Sequence, residues 1–247
     1  EQETDALVDS ILEPADKVMP ISEVAKLVGE PGPRISTGFT LFDEVMQKGF
    51  KDGDLVIVSG QPGEGKTSFA QTLTYHLTKN GVPCLWFPYE TTIEELDHKF
   101  VDMGISEHYL AYAPKKNTSG SIDWIKKKIS ESHIKYKTKV IFIDHIDFLT
   151  PLDMDARMDS REQLLKKITQ DLKTLAIDLR IVIVLIAHVR KLKDAKSEPE
   201  MQDIGYSAGI SQLADYIFMV SRIKAKKRDM GDESGDLMTE FTRVKIV

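Results

Sequence analysis

The sequence is poor in cysteine, in long apolar runs and in excess positive charge. A single cysteine, Cys84, stands in 247 residues. One thiol cannot close an internal disulfide, so a disulfide-stapled secreted scaffold is excluded. Cys84 lies in the apolar run CLWF, which marks a buried strand thiol and fits a reducing, intracellular setting. The longest apolar run, Ile181 to Ala187, is far short of the roughly 20 residues that cross a bilayer. The opening EQETDALVDS is acidic and lacks the apolar core of a signal peptide. A net charge of −6, with a pI near 5.6, argues against a broad nucleic-acid-binding surface, so any such contact must be local.

What is present is enough for one sizeable core. The first fifty residues differ from the rest. Their helical patches, Leu7 to Leu12 and Ile21 to Val28, are separated by Pro14, Pro20, Pro31 and Pro33, and cannot easily build a core of their own. A linker or arm is expected over residues 1–33 and the folded domain over 34–247. From Asp54 onward, strand and helix patterns alternate. Strands are expected at Leu55–Ser59, Cys84–Phe87, Val140–Ile143, Ile181–Ala187 and Tyr216–Val220. Helices are expected from Lys66 to about Asn80, from the capping-box pattern Thr91-x-x-Glu94, from Ser121 to about Ser132, and from about Ser160 to Asp178. Near-continuous apolar strands separated by helices predict an α/β fold, a mostly parallel twisted sheet covered on both faces.

Between the first strand and the first long helix runs G-Q-P-G-E-G-K-T, namely Gly60, Gln61, Pro62, Gly63, Glu64, Gly65, Lys66 and Thr67, followed by Ser68. It matches G-x-x-x-x-G-K-[ST] at every constrained position. Glycines let the backbone approach phosphates, N–H groups point inward, and the helix start adds a positive dipole end. Lys66 would reach the outer phosphates and Thr67 would hold Mg²⁺, so nucleotide binding is expected. In VIFIDHIDFL, four apolar residues precede Asp144, placed either to hold the metal's water shell or merely to cap a strand. Glu90 ends CLWFPYE and reads equally as a base for an attacking water or as a carboxylate complementing a helix start. His188 closes IVIVLIAH, as a phosphate sensor or a strand-end cap. After it, Arg190, Lys191, Lys193 and Lys196 crowd a long loop, either to contact a phosphate backbone or as a solvated surface.

The ordered set GQPGEGKT, WFPYE, FIDHIDFL, LIAHVRK and IGYSAGISQLADYIFMVSR resembles the RecA-like motor domain of the DnaB-type hexameric replicative helicases. It is most similar to the phage primase-helicase and Twinkle branch. The entry segment RISTGFTLFDEVMQKGFKDGDL is similar to that family's P-T-G-F-x-x-L-D and G-F-x-x-G-D-L. The resemblance covers about Arg34 to Val247. It implies a hexameric ring around single-stranded DNA that hydrolyses ATP or another NTP with Mg²⁺ between subunits and unwinds duplex. Residue by residue, it implies that Lys66 and Thr67 bind phosphate and metal, Asp144 serves the metal, Glu90 is the catalytic base and His188 senses the γ-phosphate. Gln212 and Arg222 resemble positions near the nucleotide. It also implies the cytoplasm of a phage-infected or bacterial host, no membrane association, and a primase, polymerase or helicase loader as candidate partners. A RecA-like recombinase or regulatory ATPase is the alternative built on the same core.

Two departures bear on that expectation. In the family, the strand resembled by TRVKIV runs straight into K-x-R, whose arginine acts across a subunit boundary, whereas this sequence stops at Val247. A fragment with weakened hydrolysis is therefore expected, with a primase-like or docking domain at the other end also outside it. The acidic balance confines the DNA path to loops, and Arg157, Arg161, Arg190, Lys191 and Lys193 are the candidate contacts. In the arm, Ala6, Leu7, Ser10 and Ile11 form a short apolar face that would pack on a neighbouring subunit or within its own domain.

Overall fold

The structure, a computed structural model, describes residues 18–104, 109–116, 121–149, 158–188, 211–225 and 239–246. Contacts between residues divide the chain into residues 1–33 and 34–247. In the first unit, α1 (Ile21–Val28) follows Pro20 directly and ends at Gly29, in a positive-φ conformation. The expected patch Leu7 to Leu12 and the arm's apolar face lie outside the described residues.

The second unit is built on a seven-stranded sheet. In chain order the strands are β1 (Leu55–Gly60), β2 (Cys84–Pro88), β3 (Ala111–Tyr112), β4 (Val140–Asp144), β5 (Val182–His188), β6 (Tyr216–Ala225) and β7 (Thr239–Ile246). Across the sheet the order is β3-β2-β4-β5-β1-β6-β7. All neighbours are parallel except β6 and β7.

Every residue of β1, β2 and β4 is buried, as continuous apolar strands require when both faces are covered. Successive side chains alternate between the faces. One face carries Leu55, Ile57, Ile141, Ile143, Ile183 and Leu185 beneath Ile125 and Ile129 of α5 (Ile122–Tyr136) and Leu165 and Leu172 of α6 (Met158–Leu179). The other carries Val56, Val58, Trp86, Phe142, Val184 and Phe218 beneath Phe69 and Leu73 of α3 (Lys66–Lys79) and Leu96 and Phe100 of α4 (Ile93–Asp102). Trp86 stacks on Phe142 with ring centroids 4.7 Å apart. Its Nε1 donates to Thr74 Oγ1 at 3.0 Å, so the indole's polar end is satisfied inside the core.

The expected strands and helices form, with shifted ends. The capping box uses Thr92 and Glu95 rather than Thr91 and Glu94. In TTIEE both pairs have the right spacing, and Thr92 is the one with extended backbone before the first helical residue. Helix α5 continues a turn past Ser132 to Tyr136 and stops at Lys137, which has φ 56°. Strand β6 runs beyond Val220 because β7 pairs with it out to Ala225.

Two elements go beyond the sequence expectation, the two-residue β3 and a short helix α2 (Thr40–Val45). The second accounts for the segment STGFTLFD. Asp43 accepts from the Thr37 backbone N–H at 2.8 Å and hydroxyl at 2.7 Å, and from Ser36 Oγ at 2.6 Å. Gly38 sits at φ 80°, where a Cβ would lie 2.4 Å from His76. Among the described residues, no helix is long and apolar enough to cross a membrane.

Removing one partner of the stacked pair should be costly. Phe142→Ala is expected to lose about 3–5 kcal/mol in urea unfolding, whereas Ile134→Ala, 69% exposed on α5, should change stability by less than about 0.5 kcal/mol.

Candidate active site

Strand register brings the chemistry to one edge. Gly60 pairs with His188 across β1 and β5; Asp144 pairs with Pro88 of β2 and Ile186 of β5. The carboxyl ends of four adjacent strands thus present Gly60, His188, Asp144 and the residues just after Pro88 side by side. Open α/β sheets bind ligands at this edge.

The loop after β1 has the backbone its glycines permit. Gly63 and Gly65 have φ of 80° and 95°. A Cβ on Gly60 would lie 2.3 Å from the Val220 carbonyl oxygen, so only glycine lets the loop leave β1 against β6. The Lys66 side chain curls back over the loop, Nζ donating to the Gln61 carbonyl at 3.0 Å. Lys66 is only 5% exposed. Burial pushes its pKa down, against the pull of Glu90, Asp144 and Glu64. An ammonium so placed gains from an anion brought beside it.

Asp144 is wholly buried. Its Oδ2 accepts from the Thr67 hydroxyl at 2.9 Å, while Oδ1 has no partner among the described residues. Burial raises its pKa to about 6, with the Thr67 hydrogen bond opposing and Glu90 adding to the rise. A buried carboxylate oxygen left without a donor is costly by itself. Beside a threonine hydroxyl and a phosphate loop, this hard oxygen set fits Mg²⁺ and its water shell.

Glu90 is latched to the same strand end, because the Tyr89 and Glu90 N–H groups both donate to the Asp144 carbonyl, at 2.6 and 3.2 Å. Its Oε1 meets two imidazoles, His188 Nε2 at 3.2 Å and His145 Nε2 at 3.2 Å. The rings are 4.5 Å apart and nearly perpendicular. Burial lowers the His188 pKa, helped by the Lys66 charge and opposed by Glu90. The start of α4 is capped by Thr92 and Glu95, so Glu90 faces the imidazoles rather than serving the helix start.

His145 was missed by sequence reasoning, since a histidine beside a strand-end aspartate gives no separate signal. Its Nδ1 lies 3.2 Å from Asp147 Oδ2 and 3.1 Å from the Asp147 backbone nitrogen. Asp147 in turn pairs with Arg161 at 3.5 Å. Burial opposes the Asp147 charge, but the His145 hydrogen bond and the charges of His145 and Arg161 hold its pKa below the usual value.

Other candidates are placed less uniformly. Ser68 lines a cleft of about 340 Å³ with Gly65, Phe39, Phe42 and Val244. The Arg222 backbone N–H donates to the Glu64 carboxylate, so Arg222 borders the loop. Gln212 is not brought to it. Gln212 precedes Tyr216, which pairs with Val56, four residues before Gly60 and so roughly 13 Å along the strand from it. Asp215 binds Leu55 at that same amino-terminal edge. The Arg161 guanidinium is engaged with Asp147, whereas Arg157, Arg190, Lys191, Lys193 and Lys196 lie outside the described residues.

The family model described as "DnaB-like helicase C terminal domain" matches residues 34–111 and 105–245. The chain belongs to that family. A probable replicative DNA helicase of Trieres chinensis is 24% identical over 220 residues, 76% of this chain and 47% of that protein. The DnaB-like fold is shared with a DnaB-like replicative helicase solved in a study of its interactions with primase, at a TM-score of 0.65 and 19% identity, covering 98% of this chain and 68% of that one. A second solved structure, of an isolated ATPase domain, matches at a TM-score of 0.66 and 18% identity, covering 90% and 91%. The chain spans about half the length of the curated relatives it matches.

The raised Asp144 pKa makes a sign-specific prediction. The stability it contributes is fully present below pH 3.8 and is lost as pH rises through about 6, amounting to up to about 3 kcal/mol. Asp144→Asn should therefore raise the stability of the protein at pH 7 in magnesium-free buffer and flatten this window, as read by chemical denaturation from pH 4 to 7.

Proposed function

We propose that this chain is the NTP-hydrolysing motor domain of a ring-forming replicative DNA helicase. The observation that carries it is the convergence of Lys66, Thr67, Asp144, Glu90 and His188 on one sheet edge in a chain of the DnaB-like family. Lys66 would neutralise the outer phosphates of ATP or another NTP, while the N–H groups around Gly63 and Gly65 cradle them. Mg²⁺ held through Thr67 and Asp144 would offset phosphate charge. Glu90 would take the proton of an attacking water, and His188, hydrogen-bonded to it, would respond to the γ-phosphate. Positioning and charge stabilisation supply most of the catalysis in this chemistry. Arg222 and Ser68 would border the nucleotide. The placement of Gln212 gives it no such role within one chain.

The finer features of the reading are a hexameric ring, single-stranded DNA in its channel, an arginine acting between subunits, and partners such as a primase, polymerase or loader in the cytoplasm. They draw support from the family and from the half-length match to replicative helicases. The recombinase or regulatory alternative finds no support in the family match. With an overall charge of −6, DNA contacts would fall to local positions, and Arg157, Arg190, Lys191 and Lys193 remain the candidates. Arg161 is better explained by its pairing with Asp147.

Steady-state ATP hydrolysis with and without single-stranded DNA tests this, using the chain and a version extended at its carboxyl end. DNA stimulation rising cooperatively with protein concentration is expected, and a slow rate indifferent to DNA in both would contradict it. Glu90→Gln should bind ATP normally while turnover falls by at least about a hundredfold. Lys191→Ala and Lys193→Ala should each weaken DNA binding and reduce its logarithmic salt slope by about 1, leaving nucleotide affinity unchanged.

A further inference from the structure

Among the described residues, one group of three side chains has the makings of a metal site apart from the magnesium position. The ligand atoms of Glu90, His145 and His188 all lie within 4.8 Å of one another. Both Nε2 atoms aim at the same carboxylate oxygen, each 3.2 Å away. In tetrahedral coordination with bonds of about 2.0–2.1 Å, neighbouring ligand atoms stand about 3.3–3.4 Å apart. Two of the three edges of a zinc-sized ligand triangle are therefore nearly in place.

The surroundings reinforce the match. Metal-bound imidazoles characteristically give their other ring N–H to a carboxylate, which fixes the tautomer and raises ligand basicity. His145 has such a partner in Asp147 Oδ2, 3.2 Å from Nδ1, and Arg161 holds that carboxylate from behind. In the metal-free neutral ring, Nδ1 can instead accept from the Asp147 N–H at 3.1 Å. A cation at Nε2 would move the ring proton to Nδ1 and onto the carboxylate. His145 is mostly buried at 8% exposure, so its ring is already fixed.

Donor chemistry separates this trio from its neighbour. Thr67 and Asp144 offer hard oxygens suited to Mg²⁺, whereas two imidazoles and a carboxylate favour Zn²⁺ and its borderline relatives. We propose that Glu90 Oε1, His145 Nε2 and His188 Nε2 form a binding site for Zn²⁺ or a similar transition-metal cation. Three protein donors leave a fourth position open, as in exchangeable zinc centres. His188 Nδ1 is buried without a partner among the described residues, so only one imidazole is supported from behind and the affinity belongs in the micromolar range. Occupation would engage both the proposed base and the proposed phosphate sensor, so Zn²⁺ would arrest hydrolysis in a way that excess Mg²⁺ does not relieve. That last consequence rests on the function proposed above; the metal site itself does not.

Zn²⁺ titration of the nucleotide-free chain by calorimetry, with a chromophoric chelator as competitor, tests the site independently of hydrolysis. One equivalent should bind, with affinity at least tenfold weaker in both His145→Gln and Glu90→Gln and unchanged in His98→Ala, whose ring lies elsewhere on α4. The glutamine at 145 keeps a donor for Glu90 but ligates poorly, and exposed Glu90 can be changed without disturbing the core. Co²⁺ should give the intense ligand-field absorption of a four-coordinate site. Equal zinc affinity in the wild type and both variants, or a weak six-coordinate cobalt spectrum, would overturn the proposal. Zinc binding without an effect on turnover would contradict only the proposed arrest of hydrolysis.

Discussion

The Asp144 carboxylate is held at zero exposure at the end of a central strand, with one oxygen bound to Thr67 and the other without a donor among the described residues. Burial of this kind opposes charge, and the rest of the edge is arranged around it. The Thr67 hydrogen bond ties the first turn of α3 to β4. The Asp144 carbonyl receives two N–H groups from the end of β2 and so fixes where Glu90 begins. The buried Lys66 ammonium lies close enough to offset part of the carboxylate's cost. A polar arrangement of this kind in a well-packed sheet is a strain that ligand binding is suited to relieve.

That edge exists because the sheet beneath it is rigid. Strands buried on both faces admit no register slip, since a one-residue shift would exchange every side chain between two filled cores. The pairings of Gly60 with His188 and Pro88 with Asp144 are thereby fixed. Side chains distant in sequence, such as Glu90 and His188, meet at 3.2 Å.

What can be read from the sequence follows from how local its cause is. The loop from Gly60 to Thr67 is legible because each residue's backbone requirement is written in its own type. Asp144 is legible because an apolar strand leads to it. The approach of Glu90 to His188 is only half legible, for it depends on which strands are neighbours. His145 is not legible at all, because its meaning lies in the Glu90 oxygen it shares and in Asp147 behind it. Resemblance puts Gln212 near the nucleotide, yet the parallel entry into β6 carries it toward the opposite edge. The one-residue difference at Thr92 arises because TTIEE satisfies the capping pattern twice, and only backbone geometry chooses.

The central claim is that this strand edge holds a magnesium–nucleotide pair. Its most direct test is equilibrium binding of a fluorescent ATP analogue to the chain at matched ionic strength, with Mg²⁺ present and with Mg²⁺ chelated. The account predicts saturable one-to-one binding that weakens at least tenfold on chelation, with Thr67→Ala largely insensitive to Mg²⁺. Equal affinity with and without the metal, or no binding in either, would contradict it.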